Sequence, residues 1–201
     1  MLLFNLLSNP ILAIGFIVGI LLAITVHEAM HAWIAFRCGD ATAKLEGRVT
    51  LNPFAHLDLL GTIMLLLVGF GWGKPVSINP NNFRSKFDEV KVSLAGIVGN
   101  LFMAILFALI IRFIPMPTTF ALVLVIIIQI NLNLMIFNLL PIPPLDGSAI
   151  LKAILSENSY NTLQSLSTPL FVAFIFFLYA SPIIPNFISN TTTKILYFLV
   201  G

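Results

Sequence analysis

Long apolar runs separated by short polar stretches set the pattern of this chain. Asn9-Pro10 reads as a helix start, with Asn as N-cap and Pro in the first helical position, and the apolar run after it continues to Phe36. Val92 to Ile114, Phe120 to Leu140 and Thr162 to Ala180 are further apolar stretches near the ~20 residues a helix needs to cross the hydrocarbon core of a bilayer. "LLGTIMLLLVGFGWG", residues 59 to 73, is apolar but shorter and ends in glycines, which predicts a segment that dips in and returns. Between the first two runs, "AKLEGRVTL" alternates well enough from Lys44 to Leu51 to predict a small β-hairpin at the membrane surface, closed by Asn52-Pro53. The C-terminal stretch, broken by Pro182, Pro185 and "SNTTTK", predicts a short or interfacial last helix.

The expected fold class is therefore an all-α polytopic membrane protein. Four complete crossings are the primary expectation, and five or six follow if the short segment or the last helix also spans. Composition agrees: 59% of the 201 residues are hydrophobic, 9% are charged and mean hydropathy is +1.04. A net charge of +2 carried by scattered Lys and Arg excludes nucleic acid as a partner. The lone cysteine, Cys38, excludes an internal disulfide framework. The N-terminus has neither a basic n-region nor a cleavage site, so the first run reads as a retained span within a single unit covering residues 1–201.

Basic residues orient the spans. Arg37, Lys44 and Arg48 follow the first run, and Lys74, Arg84, Lys86 and Lys91 follow the short one. Both loops should face the cytoplasm of a cell membrane, which holds only if residues 57 to 73 enter and leave on the same side. The run from 92 then leads outward, and the run from 120 returns, bringing "NLLPIPPLDG" back to the cytoplasmic side.

Within this frame two acidic residues stand out, Glu28 inside the first span and Asp146 after the fourth apolar run. An ionisable group in hydrocarbon is by default a functional one. His27 and His31 are four residues apart, so on a helix their imidazoles share a face one turn apart, as a shared metal requires. The stretch is His-Glu-x-x-His, which predicts two neutral imidazole ligands to one Zn²⁺ and Glu28 as general base to a water whose pKa the metal lowers. The third ligand should lie at the same depth, and the candidates are Asp146 and His56. The histidines lie roughly 8–14 Å from the cytoplasmic end of their helix. The predicted topology returns Asp146 to that side, and Pro141, Pro143, Pro144 and Gly147 break the helix around it. Asp146 is the expected ligand, and His56 is expected to make interfacial hydrogen bonds. Zn²⁺ with Glu28 and Asp146 is also close to neutral, which lowers the cost of burying the cluster.

"HEAMH" in a span, then "SLAGIVGN", then "NLLPIPPLDG", resembles the site-2 protease family of intramembrane zinc metalloproteases. "GRVTLNPFAHLD" and "GWGKPVSIN" are similar to segments of a compact bacterial branch without accessory domains. The resemblance implies hydrolysis of peptide bonds in or near transmembrane segments of membrane-protein substrates, with His27, His31 and Asp146 on zinc and Glu28 catalytic. The catalytic core would then span about residues 10–150, with C-terminal helices in 160–201. In one respect the chain departs from the family: Ala95-Gly96-Ile97 stands where the second motif reads Ala-Gly-Pro, so the proline kink is not expected. Asn100 is a candidate donor to the scissile carbonyl or oxyanion, or else an interhelical hydrogen-bonding residue. Asn138 is expected to orient the ligand loop, and Asn131 and Asn133 to pack helices. Two rival functions remain in this reading. A metal transporter would be expected to show repeated ligand-bearing halves, and a silent metal-binding protein would need no Glu28.

Overall fold

The computed structural model describes residues 8–201. Helix α1 (Pro10–Cys38) begins as its sequence dictates, with Asn9 accepting a hydrogen bond from the Leu12 N–H at 3.1 Å and Pro10 in the first turn. Gly39, at φ 113°, ends it. A single helical turn, α2 (Thr42–Leu45), and a 3-10 turn (Pro53–Ala55) lead to α3 (Leu59–Val68). The long helices α4 (Asp88–Phe113) and α5 (Thr118–Asn138) follow. After a 3-10 turn at Asp146–Ser148 come α6 (Ala149–Ile154), α7 (Glu157–Ser165), α8 (Ser167–Ala180) and α9 (Ile183–Val200).

Helices α1, α4 and α5 pack against one another as the centre of the molecule. Each is apolar nearly all round, so no polar stripe decides which face turns inward; the size of the side chains does. On α1 the buried row is Gly15, Gly19, Ala23, His27, His31 and Ala35, every fourth residue. A Cβ at Gly15 would lie 2.9 Å from Ile126 Cδ1 and one at Gly19 would lie 2.7 Å from Ile130 Cδ1, so the missing side chains let α5 approach. The buried row of α4 is Val92, Gly96, Asn100, Ala104 and Ala108, again in steps of four. It meets Ile128, Leu132, Met135 and Ile136 of α5 in a core that α9 covers with Ile188, Ile195, Leu196 and Leu199. Helix α4 runs unbroken through Ile97, as its lack of proline predicts.

Among the described residues three helices are long and apolar enough to cross a membrane: α1, α4 and α5. A fourth is added if α7 and α8, bent by 61° at Leu166, count as one span. The stretch expected as a span from Thr162 is thus broken, and α9 runs for 18 residues because Pro185 falls in its first turn, where the missing N–H breaks no intrahelical bond.

The β-hairpin expected at residues 44–51 is absent, and the described residues form no sheet. The competing interaction is local: Asp40 Oδ1 accepts from both the Thr42 N–H (3.1 Å) and the Thr42 hydroxyl (2.6 Å), which starts a helical turn where the alternation suggested a strand. Gly47, at φ 71°, closes that turn. One isolated antiparallel bridge, Leu57 to Gly73, joins the two ends of the α3 excursion. The return strand of chain packs on α3 with almost no clearance, since a Cβ at Gly61 would lie 2.2 Å from Trp72 O and one at Gly71 would lie 2.2 Å from Gly61 O. Residues 57 and 73 therefore leave and rejoin the same end of the bundle.

Candidate metal centre

The i, i+4 spacing on α1 places His27 and His31 in its buried row, facing α4. Room for two imidazoles exists because residue 96 of α4 is glycine: a Cβ there would lie 2.5 Å from His31 Nε2 and 2.6 Å from His27 Cε1. The loop after α5 brings in the third group. Gly147 lets it fold tightly under the end of α5, where a Cβ would lie 2.3 Å from Leu139 O. Turns from Leu145 N–H to Ile142 O and from Ser148 N–H to Leu145 O hold its shape.

Three donor atoms converge as a result. Asp146 Oδ2 lies 3.1 Å from His27 Nε2 and 3.3 Å from His31 Nε2, and the two Nε2 atoms are 3.0 Å apart. Among the described residues this is the one cluster of histidine, cysteine and acidic side chains arranged to hold a metal.

The tautomers follow from the other ring nitrogens. His31 Nδ1 is 2.7 Å from Val92 O, an atom that can only accept, so Nδ1 carries the proton. His27 Nδ1 is 2.8 Å from Asn100 Oδ1 and donates to it in the same way. In the neutral rings that a metal binds, both Nε2 lone pairs therefore point at each other and at a carboxylate oxygen. Asp146 Oδ2 is buried with no hydrogen-bond donor. Three unprotonated acceptors about 3 Å apart repel unless a cation sits among them. A tetrahedral ion with ligand bonds of 2.0–2.1 Å needs donor separations of about 3.3 Å, and two imidazoles with one carboxylate are a zinc donor set. The residues fit a zinc ion with one coordination position left open.

Glu28 and the three candidate ligands line one cavity of about 1150 Å³. Gly73 forms the wall opposite Glu28, 3.5 Å from its Oε1 to the position a Cβ would take. The cavity continues along Gln129 and Asn133 of α5 to Ser189, Thr192 and Thr193 of α9, and residues 75, 76 and 78 line its rim.

Asn100 is fully buried, and its amide is committed at both ends: Oδ1 accepts from His27, while Nδ2 donates to Ala23 O and to Asn131 Oδ1, each at 3.0 Å. These bonds tie α4 to both α1 and α5, and one of them meets the ring nitrogen of His27 that faces away from the candidate metal position. Asn138 donates to Leu134 O one turn back on its own helix, and Asn133 accepts from Thr192 of α9, a helix-packing bond. His56 is fully buried away from the cluster, with Nε2 against Thr50 O at 2.9 Å, and its backbone carbonyl accepts from Lys74 N–H. Arg48, also buried, donates to the carbonyls of Lys74 and Pro75 and fixes the return segment beside the cavity. No local signal marks that role, because by position along the chain Arg48 is one of several loop cations.

Comparison with known proteins bears on the same chemistry. Residues 115–180, which include Asp146, match peptidase family M50. YwhC of Bacillus subtilis (strain 168), named provisionally as a zinc metalloprotease, is 39% identical over 146 residues, covering 68% of this chain and 67% of the relative. Rip2 of Mycobacterium tuberculosis (strain H37Rv) and Rip2 of Mycolicibacterium smegmatis, both named in the same way, are 32% and 30% identical over 154 residues, and the aligned part covers 60% of each. No solved structure matches. A family match on the segment that carries the third donor, with relatives aligned over some two thirds of the chain, explains why these side chains converge: the chain belongs to peptidase family M50, the site-2 protease family.

Proposed function

We infer that this chain is a zinc metalloendopeptidase of the site-2 type that hydrolyses peptide bonds in or near transmembrane segments of other membrane proteins. The observation that carries the reading is the convergence of His27 Nε2, His31 Nε2 and Asp146 Oδ2 within about 3 Å of one another, in the cavity that Glu28 also lines. His27, His31 and Asp146 would hold one zinc per chain. When bound, the metal supplies Lewis-acid polarisation of a carbonyl and a water acidic enough to be deprotonated near neutral pH.

The remaining steps belong to the chain. The Glu28 carboxylate takes a proton from the attacking water and returns it to the leaving amine, so the base of the first half-reaction is the acid of the second. Asn100 acts through His27, as a positioning residue. Substrate must be extended to expose its scissile bond, and the return segment near Lys74 to Ile78 is the edge it would pair with, since it borders the cavity and its carbonyls at 74 and 75 are held by Arg48. Residues 42–45 form a helical turn and residues 46–51 a turn and bend with no strand, so they offer no such edge.

Eight of the ten Lys and Arg, namely 37, 44, 48, 74, 84, 86, 91 and 152, sit in or beside the segments at the metal-bearing end of the bundle. This favours a cell-membrane protein with its active site towards the cytoplasm. On that reading α3 and its return segment form a re-entrant loop, and about four crossings complete the fold. The whole described chain acts as one unit, because α9 closes both the core and the far wall of the cavity. A transporter is not favoured, since the ligand cluster is not repeated among the described residues.

The test is zinc content and cleavage of a transmembrane-helix substrate by purified, detergent-solubilised protein, for wild type and Glu28→Gln. The expected result is one zinc in each and cleavage by wild type alone. Zinc in both and cleavage by neither, with zinc flux into liposomes, would replace the protease reading with transport.

A further inference from the structure

The two metal-facing histidines are oriented by different means. The proton on His31 Nδ1 is fixed by a backbone carbonyl, which has one polarity. The proton on His27 Nδ1 depends on Asn100, whose amide presents an acceptor or a donor according to which way it is turned. Turned the other way, Asn100 would put N–H groups against Nδ1, require the proton on Nε2, and remove the lone pair from the metal.

We propose that Asn131, together with the backbone carbonyl of Ala23, sets the polarity of Asn100 and, through it, the metal-binding tautomer of His27. Asn131 is fully buried on α5, with Nδ2 donating to Ile127 O at 2.9 Å. That bond to its own helix backbone can be made only by the amide nitrogen, so Oδ1 must face Asn100. Asn100 Nδ2 then donates to Asn131 Oδ1 and, with its second hydrogen, to Ala23 O of α1, both at 3.0 Å. Both hydrogens being used, only Oδ1 is left for His27, at 2.8 Å. Polarity passes from a helix carbonyl on α5, through two amides, to an imidazole on α1. Flipping either amide would oppose two acceptors or two donors and leave buried polar groups unpaired. Ala23 O favours the same orientation through one of the two hydrogens, and Asn131 adds the second constraint, without which the other buried hydrogen has no partner.

The inference rests on the zinc-protease reading only for what the tautomer is used for; the tautomer itself is measurable without metal. The test compares Asn131→Leu, which removes the acceptor, with Asn131→Asp. A carboxyl group buried in this apolar setting is protonated, so it donates to Ile127 O and accepts from Asn100 as asparagine does. Asp is isosteric with Asn, so it keeps the packing as well as the polarity, and the tautomer readout, which overpacking by Leu does not itself reverse, is what separates the relay from a packing role. The readouts are ¹⁵N chemical shifts of the histidines in metal-free full chain and zinc affinity by chelator competition. In wild type and Asn131→Asp, His27 should be protonated on Nδ1. In Asn131→Leu it should become a mixture, with zinc affinity lower by roughly 10–100-fold and cleavage recovering at saturating zinc. If Asn131→Leu does not fold, Asn131→Ala takes its place against Asn131→Asp. A wild-type tautomer and wild-type zinc affinity in the Leu or Ala variant, or an Asp variant no better than it, overturns the proposal. Failure of wild type to cleave, with the tautomer pattern as stated, would instead remove the protease reading and leave the relay.

Discussion

Gly96 of α4 lies so close to His31 of α1 that a Cβ at residue 96 would be 2.5 Å from His31 Nε2, the atom that faces the metal position. The helix that builds the core is thereby also the wall of the metal centre, and no side chain at residue 96 fits without moving an imidazole.

Gly96→Ala should therefore fold and still lose metal. Zinc affinity is expected to drop by at least the roughly 10–100-fold typical of a disturbed ligand orientation. Gly99→Ala is the control: its Cβ would meet Met30 Cγ at 2.8 Å, part of a flexible side chain that can give way. Chelator competition on both variants checks the difference, and equal affinities would remove the steric argument.

Asp146 Oδ2 is a buried acceptor with no donor, so metal binding should stabilise the fold. With zinc at 100 times its dissociation constant, linkage gives about 2.7 kcal/mol. Wild type should lose thermal stability when zinc is stripped. Asp146→Asn should bind little zinc, and its melting temperature should be indifferent to chelator. A chelator effect as large in the variant as in wild type would contradict the assignment of Asp146 as a ligand.

Asp40 predicts a pH dependence remote from the metal. Burial pushes its carboxyl up, but hydrogen bonds from the Thr42 hydroxyl, the Asn79 N–H, the Asn82 amide and the Thr42 N–H outweigh this and bring its pKa down to about 2. The folded state thus favours the carboxylate, and its contribution to stability is present above the unfolded value near 4 and lost as pH falls towards 2. Metal-free wild type should lose stability over that interval. Asp40→Asn should be less stable at neutral pH and change less between pH 4 and 2. Parallel profiles for the two proteins would exclude Asp40 as a cause.

Pairing of substrate with the return segment predicts a selective effect of Ser77→Pro, which removes a backbone N–H beside the cavity without touching the metal cluster. Cleavage of a membrane substrate should slow while zinc content stays at wild-type level. Unchanged cleavage would dispose of strand addition at this edge.

Much of the site was legible because its signals are local. His-Glu-x-x-His needs only helical spacing to put two imidazoles on one face, and Asp146 stood out as an acid beside helix-breaking prolines and glycine in an apolar chain. The helix-packing rows were also written there, as Gly15, Gly19, Ala23 on α1 and Gly96, Asn100, Ala104 on α4, although their meaning appears only when the helices are brought together. The hairpin failed because two-residue alternation over eight residues is a weak preference, and one carboxylate at Asp40 was enough to replace it with a helical turn. The sequence by itself determined the class of protein, the long apolar helices and which residues could hold zinc, since burial in hydrocarbon and helical periodicity act through neighbours along the chain. Only the tertiary structure decided what Asn100, Asn131, Arg48 and Gly96 touch, because an amide, a guanidinium or a missing side chain is partnered by atoms of other helices and loops, and those contacts have no signature in spacing.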